Sequence, residues 1–307
     1  MTTTTTRSMI SFDWAMKRLL RNKANFEVLE GFLSELLHRK IIIRFIGESE
    51  SNPKHKNDKI NRVDIFVEAD DRELVIIELQ YDTEDDYFQR MLYGVSKSIT
   101  EHIDAGNPYS AVRKVYSVNI VYFDLGRGSD YIYHGKTVFM GLHSKDELYL
   151  TPKQQKLYGK MYLSELHPEY YIIKVRNFND VAKNTLDEWI YYLKNNKIRD
   201  DFTAQGFDRA REVLAYDNLT DEEKKDYERN IENKRIRNSE VVSAFTDGEI
   251  KGLAEGLEKG EALGRAAERI EVQKNTVFNS YKEGLSVEII SSITGLSIEH
   301  IVEILKI

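Results

Sequence analysis

Residues 62–81 read RVDIFVEADDRELVIIELQY and are the most informative segment for the fold. Two runs rich in Val, Ile, Leu and Phe, at residues 62–68 and 73–81, flank a polar segment around Asp70 and Asp71. Apolar and β-branched runs on both sides of a turn signal predict two strands joined as a hairpin. Acidic side chains interrupt both runs, although a buried carboxylate costs free energy unless a cation compensates it.

The register of this hairpin decides which acids share a face. Successive side chains of a strand alternate, so Glu78 and Gln80 point to the same side of the second strand. A loop with an odd number of residues, with Ala69 paired to Glu73, would set Asp64 opposite Glu78 on that side. A two-residue loop would set the two acids on opposite faces. In the first register their Cβ atoms would be roughly 4.5–5.5 Å apart, where like charges destabilise a sheet.

A divalent cation would remove this repulsion. Mg²⁺ accepts oxygen ligands and keeps several waters, so Asp64, Glu78 and the backbone carbonyl of Leu79 are the predicted metal ligands. A metal held there can activate water and stabilise charge on a phosphate, and Gln80 could hold the attacking water. Alternatively the acids are only the polar rim of an amphipathic hairpin, and the spacing alone leaves both interpretations open.

The hairpin belongs to a longer series of motifs in a fixed order. The motifs are FDW at residues 12–14 with Lys17, LEGFLSELL at 29–37, NRVD at 61–64, ELQ at 78–80, DYFQRMLYG at 86–94, VYSVNI at 115–120 and YIYHG at 131–135. In this order they resemble the PD-(D/E)XK nucleases, and specifically the recombination-promoting nuclease and putative transposase family. The resemblance covers most of the chain up to residue 200.

The resemblance implies an α/β fold with a mixed sheet flanked by helices, and a core that cleaves DNA with Mg²⁺, Mn²⁺ or another divalent cation. It also implies a connection to DNA recombination. Carried over by position, Asp64 and Glu78 would be the metal ligands and Glu30 an additional catalytic acid from an early helix. Gln80 stands where the wider fold has lysine, and this leaves the general base undefined because glutamine has no useful pKa.

Composition limits how the chain can meet DNA. A formal net charge of −7 disfavours coating of DNA through bulk electrostatics, so any contact with nucleic acid has to be local. The candidate phosphate contacts are Lys17, Arg18, Arg21, Lys23, Lys54, His55, Lys56, Lys59 and Arg62. Such clusters are equally compatible with solvated surface.

A helix is predicted over residues 87–103, where Tyr87, Met91 and Val95 recur at helical spacing. This helix follows the second acidic strand directly, so Arg90 and Lys97 are available to face the site. Arg90 is interpreted as a phosphate or carboxylate partner, or else as a member of an ordinary salt bridge, and the sequence leaves these alternatives open.

The absence of cysteine suits a reducing cytoplasm, where we expect the protein. No apolar run approaches the ~20 residues of a transmembrane helix, so no membrane association is expected.

The C-terminal part carries a second regularity. Glycine recurs every four residues from Gly248 to Gly264, which on a helix costs roughly 4–5 kcal/mol of helix propensity relative to alanine. Close approach of a partner helix could offset that cost, and the alternative is a mobile linker. The segment 275–307 is predicted to form three short helices that resemble a helix-turn-helix, and its acidic last helix favours a protein-contact module over DNA reading.

These patterns divide the chain into predicted parts: a disordered tail (1–10), a nuclease-like domain (11–200), a helical linker region (201–246), a glycine-periodic helix (247–274) and a small helical tail (275–307). The first hypothesis is a metal-dependent DNA endonuclease. The second is a catalytically weak or inactive nuclease-like scaffold that forms a homodimer through its C-terminal helices.

Overall fold

The computed structural model describes residues 9–47, 65–69, 72–104 and 106–306. The chain divides into two compact units, Met1–Asn230 and Ile231–Ile307. Of the predicted site residues, Asp64 lies outside the described ranges.

The first unit alternates helices with strands. Its elements are α1 (Phe12–Arg18), α2 (Phe26–Leu37), β1 (Ile43–Gly47), β2 (Ile65–Ala69), β3 (Leu74–Gln80), α3 (Tyr87–Glu101), β4 (Val115–Val121), β5 (Ile132–Lys136), α4 (Pro152–Tyr158), β6 (Glu169–Lys174), α5 (Thr185–Asn195), α6 (Phe207–Val213) and the beginning of α7 (Asp221–Lys282). The second unit contains the rest of α7, α8 (Val287–Thr294) and α9 (Ile298–Leu305).

The six strands form one mixed sheet in the order β1-β2-β3-β4-β6-β5. β3, β4 and β6 are parallel neighbours, while β1, β2 and β5 join as antiparallel strands. Every residue of β4 is buried, as expected for a central strand covered on both faces. The predicted fold class, a mixed sheet flanked by helices with a helical C-terminal part, is confirmed.

The side chains of β3 alternate between two apolar clusters, as predicted. Val75, Ile77 and Leu79 belong to the main core, which also contains buried side chains of α1, α2, α5 and α6. Leu74 and Ile76 belong to a smaller cluster that includes residues of α3. The sheet therefore has helices on both faces, and even-numbered residues of β3 point toward α3.

The register of the hairpin is the one that an odd-length loop requires. Ile65 is opposite Ile77, and Glu68 is opposite Leu74. The backbone N–H of Ala69 donates to the carbonyl of Glu73 at 2.9 Å, which continues the same register toward the loop. Of the two registers that the sequence allows, the described pairs therefore show the first.

Residues beyond position 200 contribute to the core of the first unit, although the sequence assigns residues 201–246 to a linker region. Phe202, Phe207 and Leu214 are at most 4% exposed, and the Trp189 indole donates to the carbonyl of Gln205 at 3.3 Å. The apolar residues of this segment are few and stand among charged ones, so their burial depends on long-range contacts. These residues belong to the first compact unit, which extends to Asn230.

The N-terminus of α7 has the predicted capping box. The N–H of Glu223 donates to the Thr220 hydroxyl at 3.3 Å, and the N–H of Thr220 donates to the Glu223 carboxylate at 2.8 Å. The helix then continues through the periodic glycines to Lys282. None of the helices in the described ranges is long and apolar enough to cross a membrane.

The second unit has a small core of its own. Val277 of α7, Ile290 of α8 and Ile301 of α9 are fully buried against one another. The Ser297 hydroxyl accepts the N–H of His300 at 3.3 Å and caps α9. The three predicted helical segments at residues 275–307 are present, and the first is the end of α7.

Gly31 permits α2 to contact the segment that follows α5. A Cβ at Gly31 would lie 2.1 Å from the carbonyl oxygen of Gln205 and 2.7 Å from the Cα of Gly206. Both are backbone atoms, so they cannot move aside as a flexible side chain can. The contact therefore requires glycine at this position.

We expect Gly31→Ala to lower the free energy of unfolding by about 2–3 kcal/mol, because overpacking against backbone forces α2 and the 205–206 segment apart. Urea denaturation followed by circular dichroism measures the change. Gly135→Ala is the matched control, since its Cβ would meet Tyr170 at an ordinary 3.7 Å and stability should hold. Equal stability of the two variants would contradict the close approach at Gly31.

Candidate active site

Glu78 lies near the carboxyl end of β3, and 7% of its surface is exposed. Its neighbour across the parallel pair is Asn119 of β4. Because it is an even-numbered residue of β3, its side chain points to the α3 side with Leu74 and Ile76. A carboxylate so buried needs a compensating cation.

Arg90 of α3 provides that cation. One guanidinium nitrogen forms an ion pair with the Glu78 carboxylate, and the other contacts the Glu84 carboxylate at 2.7 Å. Burial by itself lowers the pKa of Arg90, but the charges of Glu78 and Glu84 outweigh burial, and the pKa is raised overall. The sequence left open whether Arg90 meets a carboxylate or a phosphate, and the structure places it on two carboxylates.

A polar group beneath α3 holds this arrangement in place. Asn119 is 1% exposed, and its amide donates to the Ser117 hydroxyl at 2.9 Å and to the Tyr171 carbonyl at 3.2 Å. Its oxygen accepts the Tyr87 hydroxyl at 3.3 Å, and the Arg90 guanidinium lies 6.0 Å above the Tyr87 ring. Tyr87 therefore links the first turn of α3, and with it Arg90, to the central strand.

Gln80 lies two residues beyond Glu78 on the same face of β3 and is partly exposed. Its side-chain amide donates to the carbonyl of Asp82 at 3.2 Å. The position is open to solvent at the end of the strand, as a water-holding residue requires. The role in holding water stays a prediction.

Glu30 is held at a different part of the sheet. It belongs to α2, whose buried side chains lie in the main core on the face opposite α3. Its carboxylate accepts the backbone N–H of Ile43 at 2.7 Å, and Ile43 pairs with Ala69 at the loop end of the hairpin. Glu78 lies near the other end of β3. The structure therefore does not bring Glu30 together with Glu78, and its catalytic role stays a prediction.

Of the other two predicted metal ligands, the structure describes Leu79 but not Asp64. Leu79 is a residue of β3 opposite Ile120, with its side chain in the main core, and its carbonyl as a metal ligand stays a prediction. Asp64 lies outside the described residues. In the chain it directly precedes Ile65, the residue paired with Ile77, and Glu78 directly follows Ile77.

The residues predicted to contact phosphate also include some that the structure describes and some that it does not. On α1, Lys17 pairs with Asp13 at 2.6 Å and Arg18 with Asp226 at 3.3 Å. Both side chains are about half exposed or more, so their contact with phosphate stays a prediction. The cluster at residues 54–62 lies outside the described residues, so its contact with phosphate stays a prediction.

Other acids of the sheet are neutralised at its opposite end. Glu73 is 4% exposed and pairs with Arg39 and, at 2.9 Å, with Lys160. Glu169 pairs with Lys114 at 2.5 Å, and Lys114 itself is 7% exposed. These pairs connect β3, β4 and β6 to neighbouring segments, which is a structural role. They leave Glu78 as the buried acid beside the predicted site.

The carboxylate oxygens around Arg90 are ligands that suit a hard metal cation. Carboxylates of Glu78 and Glu84 meet at one guanidinium, so the site already holds a positive charge between two anionic oxygen groups. Mg²⁺ and Mn²⁺ prefer such ligands. Within the described ranges, no group of three or more His, Cys, Asp or Glu side chains is arranged around a common metal position. The predicted ligand Asp64 lies outside these ranges, so its membership of such a group stays a prediction.

Glu84 was not among the residues predicted from the sequence. It stands in the acidic segment between β3 and α3, six residues before Arg90, where no strand or helix periodicity places its side chain. Asn119 was missed as well, but it left a signal. It is an amide inside an otherwise apolar strand, and such a residue requires hydrogen-bond partners.

The mixed sheet, the helices on both faces and the acid at the end of a central parallel strand define an α/β protein of the PD-(D/E)XK nuclease fold. A family model described as PD-(D/E)XK nuclease family transposase matches residues 10–244, more than half of the chain. The chain therefore belongs to this family, as the order of its motifs indicated. No curated protein and no solved structure matches the chain in the corresponding comparisons.

Membership of this family supports a nuclease- or transposase-like function, and PD-(D/E)XK nucleases generally use divalent cations. The match includes the whole sheet, the Arg90 helix and the first part of α7.

We expect Tyr87→Phe to lower the free energy of unfolding by about 1 kcal/mol, because the buried Asn119 oxygen loses a hydrogen bond. Chemical denaturation of the full chain gives the value. Tyr109→Phe serves as the control, since Tyr109 is 92% exposed and its hydroxyl can bond to water in both states. If the two variants were equally stable, the Tyr87–Asn119 bond would carry no net free energy.

Proposed function

We propose that the protein is a divalent-metal-dependent DNA endonuclease that hydrolyses phosphodiester bonds. One observation supports this most directly: the buried Glu78 carboxylate converges with Glu84 on a single cation at the carboxyl end of a central strand. The hairpin register adds to it, because Asp64 and Glu78 both directly adjoin the pair Ile65–Ile77. Family membership makes nucleic acid the expected substrate.

In this proposal Asp64, Glu78 and the Leu79 carbonyl hold the metal, and Mg²⁺ or Mn²⁺ suits these ligands. Bound metal would supply an activated water and charge stabilisation on the phosphate. Gln80 orients the attacking water through its amide, and no residue is assigned as the general base. DNA is the proposed partner, with contacts confined to the neighbourhood of the site because the net charge is −7.

The biological occasion for cleavage is proposed from the family. A nuclease of a transposase family fits a role in DNA recombination. A cytoplasmic location stays a prediction from composition.

We expect Asp64→Ala and Glu78→Ala each to lower metal-dependent cleavage of supercoiled plasmid by at least about 100-fold, because losing a metal ligand removes several kcal/mol of transition-state stabilisation. Wild-type rates are measured with Mg²⁺, with Mn²⁺ and with EDTA, and only the metal-containing reactions should yield nicked or linear DNA. Wild-type rates in the Asp64 variant would refute the assignment.

Two further variants test whether cleavage depends on the proposed metal ligands or on other acids of the fold. Glu68→Gln removes an acid from the same hairpin, where Glu68 pairs with Arg113 at 3.2 Å, and cleavage should stay within a few-fold of wild type. Glu30→Gln keeps an oxygen that can accept the Ile43 N–H, so stability should hold and the variant tests the predicted catalytic acid. Loss of cleavage with stability unchanged would support that role, and wild-type cleavage would remove Glu30 from the site.

The second candidate function is self-association through α7, as expected of a nuclease-like scaffold. At a rotation of about 100° per residue, α7 exposes large apolar side chains mainly on one side of the helix within the second unit. They include Val242, Phe245, Leu253, Leu257, Leu263 and Ile270, each more than half exposed, with Val241 and Ile250 at the edges of this side and Val272 outside it. Gly256 and Gly260 lie on the same side, and a Cβ at either glycine would meet no atom within 4 Å. Both features are suited to close contact with a second copy.

We expect the full chain to sediment as a dimer and the double variant Leu253→Lys/Leu257→Lys to sediment as a monomer, since two charges on the apolar side disfavour burial. Analytical ultracentrifugation provides the masses. Glu258→Lys, which places its charge on the opposite side of the helix, should remain dimeric. A monomeric wild-type protein at high micromolar concentration would rule out this mode of association.

A further inference from the structure

The end of β3 carries a neutral side chain and no cation beside Glu78. Gln80 is two residues beyond Glu78 on the same face of β3, and its amide donates to the Asp82 carbonyl. β3 therefore contributes no positive charge beside Glu78. The positive charge at Glu78 comes instead from α3, through Arg90.

The Arg90 guanidinium contacts two carboxylates that differ in their exposure to solvent. Its contact with Glu78 is at a buried carboxylate, whereas Glu84, bonded at 2.7 Å through the other nitrogen, has a side chain that is 28% exposed. The Tyr87 ring lies below the guanidinium at 6.0 Å. Release from Glu78 would thus leave Arg90 paired with Glu84 and above the Tyr87 ring.

Arg90 also has access to solvent. Its side chain is 29% exposed, in contrast to the 5% of Lys114 in the structural pair with Glu169. A planar guanidinium offers parallel N–H donors that match a phosphate, and it remains charged at any ordinary pH. Arg90 is therefore both a local counter-ion and a reachable phosphate ligand.

We propose that Arg90 occupies the cation position at Glu78 until metal binds, and then turns on Glu84 to contact the phosphate of the DNA. The inference rests on the proposed nuclease function and assigns Arg90 the role of the missing lysine. A metal and a guanidinium repel each other and compete for the same carboxylate oxygens. Arg90 therefore opposes metal binding and favours cleavage.

This double role predicts effects of opposite sign in Arg90→Gln. Without DNA, the affinity of this variant for Mn²⁺ should rise by about tenfold, because the competing positive charge of Arg90 is removed. With DNA and saturating metal, the cleavage rate of the variant should fall by at least about 100-fold, because the phosphate loses a positively charged hydrogen-bond donor. Titration calorimetry with Mn²⁺ and a plasmid cleavage assay measure the two quantities.

Arg90→Lys and Arg113→Gln complete the experiment. Arg90→Lys keeps the charge without the planar pair of donors, so Mn²⁺ affinity should stay within about threefold while cleavage falls roughly tenfold. This variant also decides the matter if Arg90→Gln does not fold. Arg113, which pairs with Glu68 elsewhere on the hairpin, should change neither quantity when replaced by glutamine.

The outcomes distinguish the possible roles. Weaker Mn²⁺ binding together with slower cleavage in the folded Arg90 variants would mean that Arg90 only supports the structure, and would overturn the inference. Tighter binding together with faster cleavage would make it a competitor alone, and would overturn it too. If the wild-type protein neither binds Mn²⁺ through Glu78, as judged against Glu78→Gln, nor cleaves DNA, the proposed nuclease function itself fails.

Discussion

The antiparallel register of β2 with β3 is the constraint on which the rest of the structure depends. Side chains of a strand repeat every two residues, so a shift by one position would turn every apolar residue of β3 away from its cluster. In the observed register Val75, Ile77 and Leu79 enter the main core, while Glu78 and Gln80 turn toward α3. The demands of core formation thereby also decide which face holds the acids.

The electrostatics of the sheet then follow from the cost of burying charge. At one end, Glu73 is enclosed by Arg39 and Lys160, so its charge is neutralised by residues that also join neighbouring segments. At the other end, Glu78 shares one guanidinium with Glu84 near solvent. Carboxylate oxygens held near solvent are also the kind of ligand that a divalent ion accepts. The same physical requirement yields a structural network and a candidate reactive site.

Much of the fold could be predicted because its signals are local. The alternation of β3, the central strand β4 and the helix after β3 all follow from short-range periodicity. The choice between the two possible registers of the hairpin required the structure, because the sequence did not fix the loop length. The candidate site could be predicted only in part. Glu84 lies in a loop that no periodicity describes, and the position of the segment 201–230 depends on contacts with elements distant in the chain. The contact of Glu30 with the first residue of β1 likewise follows from packing and not from periodicity.

The amino-acid sequence by itself determined the α/β class, the family and the face on which Glu78 lies, since periodicity and motif order are properties of the chain. Only the tertiary structure decided that Arg90 bridges Glu78 and Glu84, and that Glu30 anchors a strand on the opposite side. The reason is that a strand repeats its own side-chain directions without any partner. The neighbour of a charged group depends instead on how helices pack across the sheet.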